Sequence, residues 1–255
     1  MRIPLLLAAS ACLMAAVLLH LSSLEARLLR EDPNAIPGNP ALMDFARARG
    51  EALFAHHCAS CHGTRGQADP ARGVPALGDS DWLYGSGLVS DIEQVIKYGI
   101  RSYHPKTWNL AIMPAYATAQ PSPRDAHIVP LSPANIRDLV EFLLRKQQRG
   151  TDTPAAGGSA SAEAADRGAG LFRGPAGCYD CHAMDAKGDP AIGAPNLTDG
   201  ITLYGDGSRD SLAKSISYGR HGICPAWIAR VAPAGIRELA VFVYSLSHRE
   251  DHGTR

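Results

Sequence analysis

Cys58-Ala-Ser-Cys61-His62 and Cys178-Tyr-Asp-Cys181-His182 decide how this chain is read. Both have the form C-x-x-C-H, the attachment signature of c-type haem. Two thiols one helical turn apart reach the two vinyl groups, and the next residue turns its imidazole toward the iron. A zinc site would need further Cys or His ligands at matching spacing, and a thioredoxin-like redox pair would need a βαβ setting. Neither is seen. The four cysteines are therefore assigned to two covalently bound haem c groups, with His62 and His182 as the proximal iron ligands.

Composition agrees with a chain built around cofactors. Of 255 residues 45% are hydrophobic but only 6% aromatic, so few large side chains are available to fill a core. The charges balance at 25 basic and 25 acidic residues, which argues against a nucleic-acid partner. Apolar residues are spread too evenly for disorder.

The region after the amino terminus is one unit written twice. A shift of 120 residues aligns Cys58 with Cys178, Pro75 with Pro195, Leu77 with Leu197, and Leu83-Tyr84-Gly85 with Leu203-Tyr204-Gly205. Gly50-x-x-Leu53-Phe54 matches Gly168-x-x-Leu171-Phe172 upstream. Downstream, Met113-Pro114-Ala115-Tyr116 matches Cys224-Pro225-Ala226-Trp227, and Ile136-Arg137-Asp138-Leu139 matches Ile236-Arg237-Glu238-Leu239. The first copy carries two insertions, around 102–112 and 120–129. Units of this length are whole domains, because solenoid repeats run shorter. Helices are expected over Leu42–His56 and Ala164–Phe172, ahead of the cysteine pairs. Others begin at Pro133, capped by Ser132, and at Pro233, each with an apolar stripe. No alternating strand pattern appears. The fold class is all-α, with two tandem cytochrome c domains behind an amino-terminal helix.

A low-spin haem c takes a sixth ligand from a distal loop, often methionine. Met113 has that place in the first copy and is paired with the first haem. The matching residue of the second copy is Cys224, and no methionine follows Met184, which lies on the proximal side. Three readings of the second haem stay open: a Cys224 thiolate, His221 in its stead, or an open position. His56, His57, His104, His127, His248 and His252 have no partner at metal spacing.

Ile3 to Leu24 carries no charge. Twenty-two helical residues span ~33 Å, close to the ~30 Å hydrocarbon core of a bilayer. A membrane anchor is expected, with a cleaved signal peptide as its rival; Arg2 favours an inward amino terminus. Cys12 in this segment is a small apolar filler. The expected layout is an anchor or signal segment over 1–26, a tether over 27–43, a first cytochrome c domain over 44–147, a flexible linker over 148–164, and a second domain over 165–249.

Pro195-Asn196-Leu197-Thr198-Asp199, Tyr218-Gly219-Arg220-His221-Gly222, Pro225-Ala226-Trp227 and Asp81-Trp82-Leu83-Tyr84-Gly85 resemble dihaem subunit III of the cbb-type cytochrome c oxidases. The likeness covers about residues 48–248. It implies class I cytochrome c folds, a membrane anchor in the bacterial inner membrane with haem domains in the periplasm, and electron delivery to a membrane oxidase. His62, Met113 and His182 match that subunit's ligands, whereas Cys224 stands where it has a second methionine. On this reading the chain is an electron carrier between a periplasmic or membrane donor and a terminal oxidase or other redox partner. It is an electron-transfer protein or non-catalytic subunit of an oxidase complex, with enzyme activity of its own left open. The alternative is a thiosulfate-oxidising dihaem cytochrome using a His/Cys-ligated haem, and turnover of thiosulfate separates the two.

Two attachment motifs predict two covalent haems per chain. Denatured protein keeps its colour and gives a pyridine haemochrome count of two, and Cys58→Ala or Cys178→Ala weakens attachment at its own site alone. A count of one contradicts the reading.

Overall fold

The computed structural model describes residues 3–122, 128–148 and 159–248, with side chains of the first helix from Leu13 onward. Most of the expected linker, His127, His252 and the side chain of Cys12 lie outside the described residues. The helices are α1 (Ile3–Arg30), α2 (Pro40–His57), α3 (Ala59–His62), α4 (Val89–Tyr98), α5 (Pro133–Gln148), α6 (Ser159–Phe172), α7 (Tyr179–His182), α8 (Arg209–Tyr218) and α9 (Pro233–Ser247), with a 3₁₀ turn over Pro33–Gly38. Among the described residues there is no strand, only isolated bridges.

Local chemistry sets the helix ends. Asn39 accepts a hydrogen bond from the Leu42 amide ahead of α2, and Ser132 accepts one from Asn135 ahead of α5. Pro40, Pro133 and Pro233 stand at first helical positions, where a missing N–H costs nothing. α4 and α8 end at Gly99 and Gly219, with φ of 71° and 69°. No L side chain takes that conformation readily, so glycine stops the helix there. Four expected helices are present with ends within a few residues; α4 and α8 are not among the expected ones, although Val89, Ile92 and Ile96 form an apolar stripe on α4.

The packing departs from the order of the copies. α2 of the first copy lies against α9 of the second, and α5 of the first against α6 of the second. The first core joins Leu42, Ala46, Phe54, Val89 and Ile92 with Ile236, Leu239, Val243 and Leu246. The second joins Tyr116, Ile136, Leu139, Val140 and Phe142 with Phe172, Ala176 and Ile216. The first helix of each copy thus packs on the last helix of the other copy. The reason is visible in the repeat: both copies carry the same complementary surfaces, so either partner fits.

Each crossing is closed by a glycine and an ion pair. A Cβ built on Gly50 would lie 2.1 Å from the Glu238 carbonyl oxygen, and one on Gly168 would lie 2.0 Å from that of Asp138. Arg49, next to Gly50, pairs with Glu238, and Arg167, next to Gly168, holds Asp138 through two bonds of 2.8 Å. Phe54 on Phe242 and Phe172 on Phe142 each meet at a tilt, with 5.1 Å between ring centroids.

The first core is also tied to α1. Leu24 and Leu28 are buried in it, and Arg237 of α9 bonds to Glu93 at 2.6 Å and to the carbonyls of Leu28 and Glu31. Lys97 adds a second bond to Glu93, so the buried carboxylate is fully engaged. Arg137, the repeat counterpart of Arg237, is exposed, and among the described residues none of α1 belongs to the second core. Upstream, Leu13, Met14, Val17, Leu18 and Leu19 leave α1 with exposed apolar side chains. Among the described residues no helix is long and apolar enough to cross a membrane.

Gly50→Ala and Gly168→Ala each force a methyl into a backbone carbonyl at a helix crossing. Each is expected to lower stability by ~1–3 kcal/mol, the usual cost of overpacking. Denaturant unfolding checks this, and a neutral result at either position contradicts the close crossing.

Candidate functional site

The two attachment motifs sit in matching surroundings. Cys58 closes α2 and starts the short α3, which ends at His62; Cys178 starts α7, which ends at His182. The chain turns sharply after each histidine, at Gly63 with φ 64° and at Ala183 with φ 60°. Glycine takes the first turn freely, whereas the alanine is held there at some cost. His62 Nδ1 donates to the Pro75 carbonyl at 3.2 Å, and His182 Nδ1 donates to the Pro195 carbonyl at 3.0 Å. A carbonyl can only accept, so each ring keeps its proton on Nδ1 and leaves the Nε2 lone pair free for a metal. Burial lowers both histidine pKa values, keeping the rings neutral. Beneath each motif a loop doubles back, with Leu77 N on the Gly66 carbonyl and Leu197 N on that of Ala186. In the first motif Arg72 also donates to the carbonyls of Ser60 and Cys61, two groups left unpaired at the end of α3.

The residues expected on the distal side are brought to opposite motifs. Cys224 exchanges two backbone bonds with Ile100, at 2.9 and 3.0 Å, just beyond α4 of the first copy. Trp227 follows, bonded to the Ile96 carbonyl, packed on the His57 ring at 4.9 Å, and joined to the core that holds Cys58, Ala59 and Leu77. Cys224 lies close enough to Cys58 to raise its thiol pKa, and Cys61 close enough to raise that of Cys224. Burial is the larger cause, pushing Cys58 to about 12 and Cys224 to about 11.

Met113 bonds through its amide to the Arg220 carbonyl and packs on the core that holds Cys178, Leu197 and Leu212. Nearby Tyr116, buried, donates to the Ala176 carbonyl and lies 4.0 Å from Cys178 Sγ. Cys224 thus lies nearer the first motif and Met113 nearer the second, the reverse of the placement implied by the repeat alignment. The cause is the same exchange that pairs α2 with α9, since each distal segment travels with the helix that follows it.

The remaining candidates separate clearly. His221 is exposed, and Met184 is 55% exposed on the side of its own motif. Met43 packs in the first core from α2. His56 and His57 meet edge to face at the end of α2. Arg101, Tyr84, Tyr204 and Arg220, which join the two halves, were not singled out from the sequence; the Leu-Tyr-Gly repeat was the signal that pointed to the tyrosines.

These residues fit haem c. Each motif offers two thiols without a disulfide and an imidazole whose free nitrogen is fixed by a carbonyl. Cys224 of the second copy lies near the first motif's cysteines, and Met113 of the first copy packs on the core that holds Cys178. A haem bound there would supply a reversible one-electron centre.

Comparison with known proteins agrees with that donor set. The cytochrome c family model matches residues 47–146. The chain is 38% identical over 211 residues to the cbb3-type cytochrome c oxidase subunit FixP of Bradyrhizobium sp. (strain ORS 278), covering 83% of this chain and 64% of that protein. It is 37% identical to FixP of Azorhizobium caulinodans, covering 83% and 63%. With the cbb3-type cytochrome c oxidase subunit CcoP of Rhodobacter capsulatus it shares 37% identity over 232 residues, 88% of this chain and 70% of that protein. It thus spans less than two thirds of the length of the two FixP relatives.

Tyr116→Phe removes one hydroxyl and leaves the buried Ala176 carbonyl with only the weak Cys178 Sγ contact at 3.9 Å. It is expected to cost ~1–2 kcal/mol, in the range for a buried acceptor left unpaired. It should also perturb the spectrum of a haem attached at Cys178 and not that of one attached at Cys58, which single-attachment variants would report.

Proposed function

Because the chain belongs to the family of cbb3-type cytochrome c oxidase subunits FixP and CcoP, we propose that it is a membrane-anchored dihaem cytochrome passing electrons to such an oxidase. Cys58 and Cys61 hold the first haem and Cys178 and Cys181 the second. His62 and His182 are the proximal ligands, kept in the ligating tautomer by Pro75 and Pro195. The observation that carries the reading is this twofold repetition of thiols, oriented imidazole and supporting carbonyl.

The sixth ligands cross between copies. Cys224 serves the first haem with His62, and Met113 serves the second with His182. The pairing is supported by the Ile100–Cys224 bridge and by the place of Met113 in the second core. A thioether is neutral and favours ferrous iron, whereas a thiolate favours ferric iron. Metal coordination removes the thiol proton that burial otherwise retains. The first haem is then the centre of lower potential and the second the resting place of a single electron. His221 is disfavoured as a ligand by its exposure.

Residues 3–24 act as the membrane anchor, which leaves the haem-bearing part in the periplasm. Support comes from the uncharged run and from the exposed apolar side chains of α1 up to Leu19. A high-salt wash that leaves the protein in the membrane fraction agrees with the anchor; a soluble form beginning near Arg27 contradicts it.

Replacing Cys224 by methionine tests the ligand set. The potential of the haem at Cys58 is expected to rise toward that of its partner, by more than tenfold in reduced-to-oxidised ratio, or over ~59 mV for one electron. The thiolate-type low-spin signal should leave the ferric EPR spectrum at the same time. If the haem at Cys178 changes instead, the crossed pairing is wrong. If His221→Ala removes the signal and the Cys224 variant does not, histidine is the ligand.

A further inference from the structure

Between the two motifs the halves of the chain meet on a seam that repeats about itself. Gly85 N bonds to the Pro190 carbonyl at 3.1 Å, and its counterpart Gly205 N bonds to the Pro70 carbonyl at 2.9 Å. Tyr84 lies against Gly193 and Tyr204 against Gly73, so closely that a Cβ on either glycine would fall inside the tyrosine ring. Each tyrosine thus covers the loop that leads to the proximal proline of the opposite motif.

Two guanidinium groups stand in this seam. Arg101 donates to the Gly222 carbonyl at 2.6 Å, to the Ala111 carbonyl at 3.1 Å and to the Tyr84 hydroxyl at 2.8 Å. Gly222 is two residues before Cys224 and Ala111 two before Met113, so one side chain clips both distal segments. Arg220 stacks over the Tyr204 ring at 4.4 Å and donates to Ser215. Its own carbonyl receives the Met113 amide. The two arginines are close enough to Tyr204 for both to act on its phenol.

Neither guanidinium has a carboxylate at ion-pair distance among the described residues. Arg101 is also held at φ 48°, a left-handed backbone that a long side chain rarely adopts. Three of its five N–H groups are used, on neutral oxygens that do not offset the charge. Two half-buried positive charges with spare donors call for anions, and strain of this kind persists where surrounding contacts enforce it. Each haem c brings two propionate carboxylates, the acceptor geometry that arginine matches best.

We propose that Arg101 and Arg220, with Tyr84 and Tyr204, form a shared propionate clamp between the two haems through which an electron crosses from one to the other. The inference rests on the two-haem reading above. Transfer across the seam oxidises one ferrous centre and reduces one ferric centre, with no bond made or broken and no proton moved. A positive charge common to both centres favours the ferrous form of each. Each arginine therefore sets both potentials, a coupling that a residue belonging to one haem would not produce.

The test is potentiometric titration of the intact dihaem protein bearing Arg101→Gln or Arg220→Gln, with the matching lysine variants and Tyr84→Phe. Both potentials are expected to fall in each glutamine variant, by about threefold to tenfold in reduced-to-oxidised ratio, where tenfold is ~59 mV. Lysine should restore most of the loss, and Tyr84→Phe should slow exchange between the haems while leaving the axial-ligand spectra intact. A shift confined to one haem, no shift, or a lysine variant that behaves like glutamine overturns the proposal. Failure of the two-haem reading is distinct, because it appears as a haem count of one in the unmutated protein. If a glutamine variant does not fold, the lysine variants and Tyr84→Phe, which retain the charge or most of the contact, still decide the question.

Discussion

Two helix crossings hold the molecule together, and both depend on the absence of a side chain. At Gly50 and Gly168 the backbones approach until a carbonyl of the partner helix occupies the space a Cβ would take. The adjacent Arg49 and Arg167 then reach the acidic residues Glu238 and Asp138, and the phenylalanine pairs close beneath. Any larger residue would separate the helices and open the floor on which each cysteine pair rests. The placing of the thiols, the orientation of the histidines and the distal segments all follow from these contacts.

The crossings join copy to copy, and that changes what the repeat means. Duplication made two sets of matching surfaces, and the chain uses each set across the copies. The distal residues move with the closing helices, so a substitution in one copy alters the surroundings of the motif in the other. Cys224 is the clearest instance, being read in the second copy and standing beside the cysteines of the first.

Much of this was legible in the residues. The attachment motifs, the histidines and the capped helices at Pro133 and Pro233 were readable because each depends on a few neighbours in sequence. The partner of each helix was not, because Arg49-Gly50 and Arg167-Gly168 are equivalent donors for Asp138 and Glu238, and no local signal separates two equal fits. α8 has few apolar residues to mark it, whereas the Val89, Ile92 and Ile96 stripe of α4 was a legible signal in a helix of only ten residues with no side-chain cap. Arg101 was missed for another reason: its role comes from contacts to Tyr84, Ala111 and Gly222, which lie far from it in sequence.

The two crossings differ greatly in the length of chain they enclose. Arg167 and Asp138 are 29 residues apart, whereas Arg49 and Glu238 are separated by 189. Loop closure costs more for the longer span, and contacts distant in sequence form late. The unit around Cys178 can close as soon as its own segment is made. The unit around Cys58 stays open until the final helix arrives, although its cysteines emerge first. Attachment at the first motif is therefore offered a long interval on an unfolded chain, and the completed helix α9 shuts that interval. A truncation that removes only the last fifteen or so helical residues would strike the earliest part of the protein and leave the later part standing.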